Sequence, residues 1–132
     1  MVKRIKFTVL MAIMIIAGIS VVSQAMGAKV AEGSAAKGLQ IVQEKGCTAC
    51  NTANGTTLVG PSYKGLYGKK EFVNIGGKEE KIVVDDKFIK NKILDPDDYN
   101  VKGFPAHVMP SFKGKLSPIE IDDIIAYIKS LK

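Results

Sequence analysis

Cys47 and Cys50 are the only two cysteines in the chain, and they are spaced as C-x-x-C. Two thiols at this spacing can attach a haem, bind a metal, cycle between dithiol and disulfide, or form a structural disulfide. A histidine directly after the second cysteine would complete the motif that attaches a c-type haem. Asn51 occupies that position. The motif alone therefore leaves all four chemistries open.

Two other side chains with soft or borderline donor atoms lie far along the chain. His107 is the only histidine, and Met109 is the only methionine outside the N-terminal leader and its edge. Met109 lies in a proline-flanked loop rather than on a helix face, which makes it a poor candidate for core filler. Thiolate, imidazole and thioether ligands together suit Cu(I). The two cysteines, His107 and Met109 are therefore candidate ligands of a copper carrier.

The first 25 residues have the features of a secretory signal peptide. Basic residues within 3–6 precede an apolar run at 7–22, and Ser23-Gln24-Ala25 is a small-x-small cleavage site. The alternative is an uncleaved membrane anchor through 7–22, because that run is near the shortest that spans a bilayer. Residues 26–33 then form a flexible lead to one domain at 34–132. We expect a periplasmic or otherwise exported protein, released or membrane-anchored.

Composition narrows the function of the exported chain. Cleavage after Ala25 leaves 16 lysines and 13 acidic residues, a net charge of +3. A mild lysine excess suits docking to acidic protein surfaces, and the absence of dense basic and aromatic runs argues against nucleic acid. No nucleophile–base pair or carboxylate dyad indicates an enzyme. Because exported thiols oxidise, cysteines without a cofactor would form a disulfide.

Helix signals occur in three segments. Ser34 begins an amphipathic stretch that Gly46 ends, Asp85 begins a second that Pro96 ends, and Ser117 begins a third with Pro118 at its first position. A short hairpin is predicted around the Gly76-Gly77 pair, and 95–111 is predicted to be extended loop. We therefore expect a mostly α domain of three to four helices whose long loops wrap a cofactor.

Five blocks of sequence follow one another between about Ala31 and Lys132. They are GCTAC at 46–50, VGPSYKGLYG at 59–68, VDD with ILDP within 84–96, VKGFP with VMP within 101–110, and IAYIKSL at 125–131. Blocks in this order resemble a class I cytochrome c domain. The resemblance is strongest to the haem domains fused to the end of cytochrome oxidase subunit two.

The resemblance implies a function and a set of roles. The function is one-electron transfer between exported redox partner proteins through a covalent haem c attached at Cys47 and Cys50. Gly38 and Tyr127 match the contact where the first and last helices cross. Met109 matches the distal sulfur ligand, with His107 as a second metal-ligand candidate, and Pro61 matches the residue whose carbonyl orients the proximal ligand. The implied cofactor-binding residues are Cys47, Cys50, Asn51, Pro61, Tyr63 and Met109.

Asn51 is the departure from this family pattern, because it replaces the proximal histidine. An amide is a poor ligand for haem iron. Three hypotheses follow. In the first, haem is attached and its iron is held by Met109 or His107, which is an atypical ligand set. An open coordination position on that iron would favour ligand sensing or weak peroxidase chemistry over electron transfer. In the second, a haem-free cytochrome fold with a Cys47–Cys50 disulfide serves as a binding or assembly module. The third is the copper carrier.

Overall fold

A computed structural model describes residues 33–132. The predicted signal peptide at 1–25 and nearly all of the lead at 26–33 lie outside the described residues. Within the described part, no helix is long and apolar enough to cross a membrane. Helices and strands follow one another there in the order α1 (Ala35–Glu44), a short 3-10 helix (Cys47–Ala49), β1 (Lys70–Ile75), β2 (Lys78–Val83), α2 (Asp86–Leu94), β3 (Asn100–Val101) and α3 (Pro118–Ser130).

The helix boundaries follow the capping signals in the sequence. Ser34 and Asp85 each accept a hydrogen bond from the backbone N–H three residues further on, as N-cap residues do. Ser117 and Glu120 form a capping box at the start of α3, which satisfies two N–H groups that the helix leaves free. Gly46 ends α1 in the left-handed region, at φ 72°. The three predicted helices are therefore confirmed.

A small sheet accompanies the helices, so the expectation of a mostly α domain is only partly correct. β1 and β2 form the predicted antiparallel hairpin, with Lys70 opposite Val83. β3 adds a third strand on the other side of β1, where Val73 pairs with Val101. The segment 95–111 is therefore not loop throughout. Its two-residue strand escaped prediction because the pairing is long-range and no alternating pattern of that length is detectable.

Helices α1 and α3 cross in direct backbone contact at Gly38. A Cβ atom at this position would overlap the backbone carbonyl of Asp123 and lie 2.7 Å from the Cβ of Tyr127. Only a residue without a side chain permits that approach, which explains why α1 contains a glycine that disfavours helix formation. The predicted contact between Gly38 and Tyr127 is confirmed.

Asp123 strengthens the same crossing. Its carboxylate accepts a hydrogen bond from the backbone N–H of Ser34 at 2.5 Å, and only 5% of the residue is exposed. An acidic residue in the first turns of a helix is usually solvated and interacts with the helix dipole. Asp123 instead turns its side chain inward, to a backbone donor at the beginning of α1.

One apolar cluster connects the helices with the loop at 59–68. α2 contributes Ile89 and Ile93, and the stripe on α3 forms the largest part of the cluster. Ile89 and Ile93 of α2, with Ile124 and Ile128 of α3, also form the inner wall of the site described below. The buried members are Ile41, Val42, Tyr63, Leu66, Val84, Ile89, Ile93, Leu116, Ile121, Ile124, Ile125, Tyr127 and Ile128.

Replacing Gly38 by alanine tests the crossing. Alanine favours an isolated helix by about 1 kcal/mol over glycine, but the added methyl would force α1 and α3 apart. We expect Gly38→Ala to lower the free energy of unfolding by about 1–3 kcal/mol, as overpacking does. Urea denaturation followed by circular dichroism measures the change.

Gln40→Ala, on the exposed face of α1, is the control and should change the free energy of unfolding by less than about 0.5 kcal/mol. A Gly38→Ala variant that is as stable as the parent would show that the helices are not in contact there.

Candidate functional site

Two adjoining cavities open between the 3-10 helix, α2 and the loop at 95–117. Their volumes are about 110 Å³ and 150 Å³, and together we call them the crevice. The inner cavity is walled by apolar side chains of α2 and α3, whereas the outer one reaches the surface. Eight residues line both: Cys47, Asn51, Pro61, Tyr63, Lys92, Val101, Met109 and Phe112.

The two cysteines lie at the edge of the crevice because the 3-10 helix follows directly on the turn at Gly46. Cys47 lines both cavities and Cys50 lines the outer one. Both are free and half-buried. Burial raises the pKa of the Cys47 thiol, and its interaction with the Tyr63 hydroxyl opposes that rise only in part. The Cys47 thiol is therefore protonated at neutral pH in the protein before any modification.

Tyr63 closes the crevice behind Cys47. The ring of Tyr63 is buried and meets the ring of Tyr127 edge to face, with 6.2 Å between the centroids. Burial, with the nearby Cys47 as the next cause, raises the pKa of the Tyr63 hydroxyl. The hydroxyl therefore stays protonated and serves as a neutral hydrogen-bonding group beside the cysteine. Tyr63, which the family resemblance implies as a cofactor-binding residue, thus lines both cavities.

Asn51 occupies a tightly bounded position between the cysteines and the loop at 59–68. Its side-chain Nδ2 donates a hydrogen bond to the carbonyl oxygen of Pro61 at 2.8 Å, and its backbone N–H bonds to the carbonyl of Cys47 at 3.1 Å. A Cβ on Gly60 would overlap this amide. One N–H of the amide is therefore committed to Pro61, and the carbonyl oxygen Oδ1 is the only atom of the side chain whose lone pairs could bind a metal in the crevice.

Met109 and His107 differ in their relation to the crevice. Met109 lines both cavities and packs partly buried against the core. His107 lines only the outer cavity, its side chain is 73% exposed, and its Nδ1 lies 3.1 Å from the carboxylate of Asp97. His107 also has a left-handed backbone, at φ 59°. The structure therefore brings Met109 to the cysteines and leaves His107 at the mouth.

The copper hypothesis requires the cysteines and His107 to converge. Among residues 33–132, no group of three or more histidine, cysteine or acidic side chains is placed to hold a metal ion. Met109 could add a thioether, but the imidazole is paired with Asp97 at the surface. Cys47, Cys50, His107 and Met109 nevertheless all line the outer cavity, so the copper carrier stays a hypothesis.

Lys92 lines both cavities, although the sequence did not single it out. Its Nζ donates to the carbonyl oxygens of Pro96 and Tyr99, the latter at 2.9 Å, and lies 5.1 Å from the centroid of the Tyr99 ring. Burial lowers the pKa of Lys92, and nearby aspartates oppose that fall. Helical spacing places Lys92 on the core-facing side of α2, three residues after the buried Ile89 and next to Ile93, but it does not indicate which cavity the side chain lines.

The residues of the crevice fit a covalent haem except at one position. Two thiols lie at its edge, Met109 faces the same space, and the walls are apolar. Asn51 is the exception, because it offers an amide oxygen where an imidazole nitrogen is expected. Its hydrogen bond to Pro61 nevertheless satisfies the acceptor that would orient a proximal ligand.

Comparison with known proteins agrees with this geometry. The family model for cytochrome c matches residues 35–132, which include every helix and strand described above and all eight residues shared by the two cavities. A search of curated proteins finds no match. The chain belongs to the cytochrome c family.

Proposed function

We propose that this chain is an exported electron carrier with a haem attached to Cys47 and Cys50 and an atypical axial ligand set, in which Met109 binds iron and Asn51 replaces the proximal histidine. The observation that carries the proposal is that both cysteines and Met109 line one apolar crevice. A haem held there supplies a one-electron couple, and a thioether ligand raises its potential.

The residues of the chain have three tasks in this proposal. Cys47 and Cys50 hold the cofactor in place. The apolar walls of α2 and α3 exclude water, which keeps the dielectric constant around the charge low. The hydrogen bond from Asn51 to Pro61 keeps the loop at 59–68 closed over the proximal side. Export rests on the predicted signal peptide, and lysines on the surface suit acidic redox partners.

The haem-free module remains the second candidate, and one observation favours it. The amide of Asn51 finds its acceptor within the protein, so the loop at 59–68 can stay closed without a cofactor. In that case the two free thiols would form a disulfide after export. This disulfide would close a very short loop and would stabilise the fold little.

Intact mass of the exported protein, matured with the haem attachment machinery, tests the attachment. We expect the mass of the chain plus one haem, and a Soret band that survives acid-acetone extraction. The double variant Cys47→Ser/Cys50→Ser should lose both, because serine forms no thioether. A mass two hydrogens below that of the reduced chain, without a Soret band, would contradict attachment and favour the disulfide module.

Substitution of Asn51 by histidine tests the atypical ligation. A histidine at this position can donate one ring N–H to Pro61, as Asn51 does, and present its other nitrogen to iron. We expect Asn51→His to increase the haem content at least severalfold and to shift the ferric spectrum towards a nitrogen-ligated, low-spin form.

Asn54→His serves as the control, because Asn54 is exposed in the following loop and lines neither cavity. It should have the haem content and spectrum of the parent. If Asn51→His also has the parent's haem content and spectrum, Asn51 does not stand in the proximal position.

Removal of the thioether tests the role of Met109. We expect Met109→Ala to lower the reduction potential and to change the ferric spectrum, since a ligand that favours the reduced state is lost. His107→Ala is the comparison: its imidazole is exposed and paired with Asp97, so the spectrum should change little. Potentiometric titration with recorded spectra measures both. The opposite pattern, with His107→Ala altering the spectrum and Met109→Ala leaving it unchanged, would assign the ligand to His107.

A further inference from the structure

The outer edge of β2 (Lys78–Val83) presents a free strand that the proposed electron transfer does not use. The sheet has the order β2-β1-β3, so β2 is an edge strand among residues 33–132. Five of its six residues are exposed, and no residue of β2 lines either cavity of the crevice. An uncovered strand edge offers a row of backbone N–H and C=O groups for pairing with another strand. A partner strand would therefore have to match the residues along this edge.

Glu79, Lys81 and Val83 direct their backbone groups to the free edge of β2. On the other side of β1, the carbonyl of Phe72 accepts a hydrogen bond from the N–H of Lys102 at 2.8 Å, so the backbone of Phe72 faces β3 and not β2. Lys81 lies opposite Phe72 in the hairpin and therefore makes no ladder bond to β1. Because the direction of these groups alternates along an antiparallel strand, the N–H and C=O groups of Glu79 and Val83 point outward with those of Lys81.

The charges of β2 are arranged so that the strand matches a second copy of itself. The sequence Lys-Glu-Glu-Lys occupies 78–81, and Glu79 and Lys81 lie on the same face because side chains alternate along a strand. If two copies pair antiparallel with Glu80 at the centre, Glu79 of each copy lies opposite Lys81 of the other. Each such pair exchanges two backbone hydrogen bonds and places opposite charges directly across from each other, which stabilises the pairing.

Glu79 and Lys81 are both able to take a partner from a second copy. Among the described residues, Lys81 has no carboxylate within 4 Å, and its Nζ lies 5.4 Å from the centroid of the exposed Phe72 ring. Glu79 is paired with Lys102 at 2.7 Å, but its side chain remains 48% exposed. A carboxylate has two oxygens and can accept hydrogen bonds from two ammonium groups. Glu79 can therefore bind Lys81 of a second copy and keep Lys102.

The register centred on Glu80 is the most favourable one. It pairs 78–82 of both copies, whereas registers centred nearer either end of β2 pair at most three residues of each strand. A register centred on Lys81 is as long, but it places the two Lys81 side chains opposite each other and brings Glu79 opposite Val83. The register centred on Glu80 has one like-charged pair, formed by the two Glu80 side chains, and like charges directly opposite destabilise a strand pair. It gains two pairs of opposite charge in return.

We propose that β2 pairs antiparallel with β2 of a second copy of this chain, centred on Glu80, and forms a two-fold symmetric dimer with a continuous six-stranded sheet. The axis passes through the Glu80 pair, so the ion pair between Glu79 and Lys81 occurs twice. A two-fold contact uses the same edge on both copies, so association ends at the dimer. One short strand per chain makes a small interface, which is typical of weak and transient association. The inference does not rest on the proposed function, because β2 lies outside the crevice.

Sedimentation equilibrium of the exported protein at concentrations up to about 1 mM tests the dimer. We expect the mass to rise from monomer to dimer and no further. Glu79→Lys and Lys81→Glu should each raise the dissociation constant at least about tenfold, because each variant places like charges opposite each other at two positions of the dimer. Glu44→Lys and Lys90→Glu are the matched controls: they make the same charge changes at exposed positions of α1 and α2 and should stay within about twofold of the parent.

Two further measurements are specific to the register. An equimolar mixture of Glu79→Lys and Lys81→Glu should restore the dimer, because every introduced charge then faces an opposite charge. Glu80→Gln should lower the dissociation constant severalfold, because the like-charged pair at the axis is removed. Circular dichroism of each variant verifies that the fold is unchanged.

Three results would overturn the inference. A parent that remains monomeric at the highest concentration shows that the charges of β2 only protect the edge from pairing. A dimer that Glu79→Lys and Lys81→Glu do not weaken uses another surface. A mixture that associates no more tightly than either variant alone, or a Glu80→Gln variant that dimerises no better than the parent, shows that Glu80 does not lie at the axis. None of these results bears on haem attachment, which intact mass tests separately.

Discussion

The close contact of α1 and α3 at Gly38 is the constraint on which the rest of the structure depends. Because no side chain separates the two backbones there, the end of α1 is held against the apolar stripe of α3. The cysteines follow within a few residues of that end, so the crossing also sets the distance from the thiols to the wall of the crevice. Asp123, which binds the backbone of Ser34, fixes the same crossing from its other side.

Asn51 occupies the position of the proximal histidine in the family pattern, but its side chain is an amide instead of an imidazole. Its amide donates to Pro61, and the absence of a side chain at Gly60 leaves room for it. An imidazole would use one nitrogen for this hydrogen bond and the other for iron, whereas an amide has only its carbonyl oxygen as a lone-pair donor to a metal. The loop at 59–68 therefore keeps the hydrogen bond that a proximal histidine would make. The atom that would face a metal is an amide oxygen instead of an imidazole nitrogen.

Lys92 and Met109 come together because α2 and the following loop fold back on each other. The ammonium of Lys92 binds the carbonyls of Pro96 and Tyr99, which ties the first part of that loop to the helix, and Met109 lies further along the same loop. Lys92 therefore both holds the beginning of the loop that contains Met109 and places a positive charge in the crevice.

The sequence by itself determined the helices, the hairpin and the family, because capping residues, glycine turns and spaced motifs act over a few residues and leave local signals. The order of the family motifs along the chain also singled out Cys47, Cys50, Asn51, Pro61 and Met109, all of which line the crevice. Only the tertiary structure decided the rest. The third strand pairs residues almost thirty positions apart, and whether Asp123 is buried or His107 exposed depends on what packs against each. The charge of Lys92 enters the crevice because α2 turns that face inward, and no local pattern states which space a helix face will line.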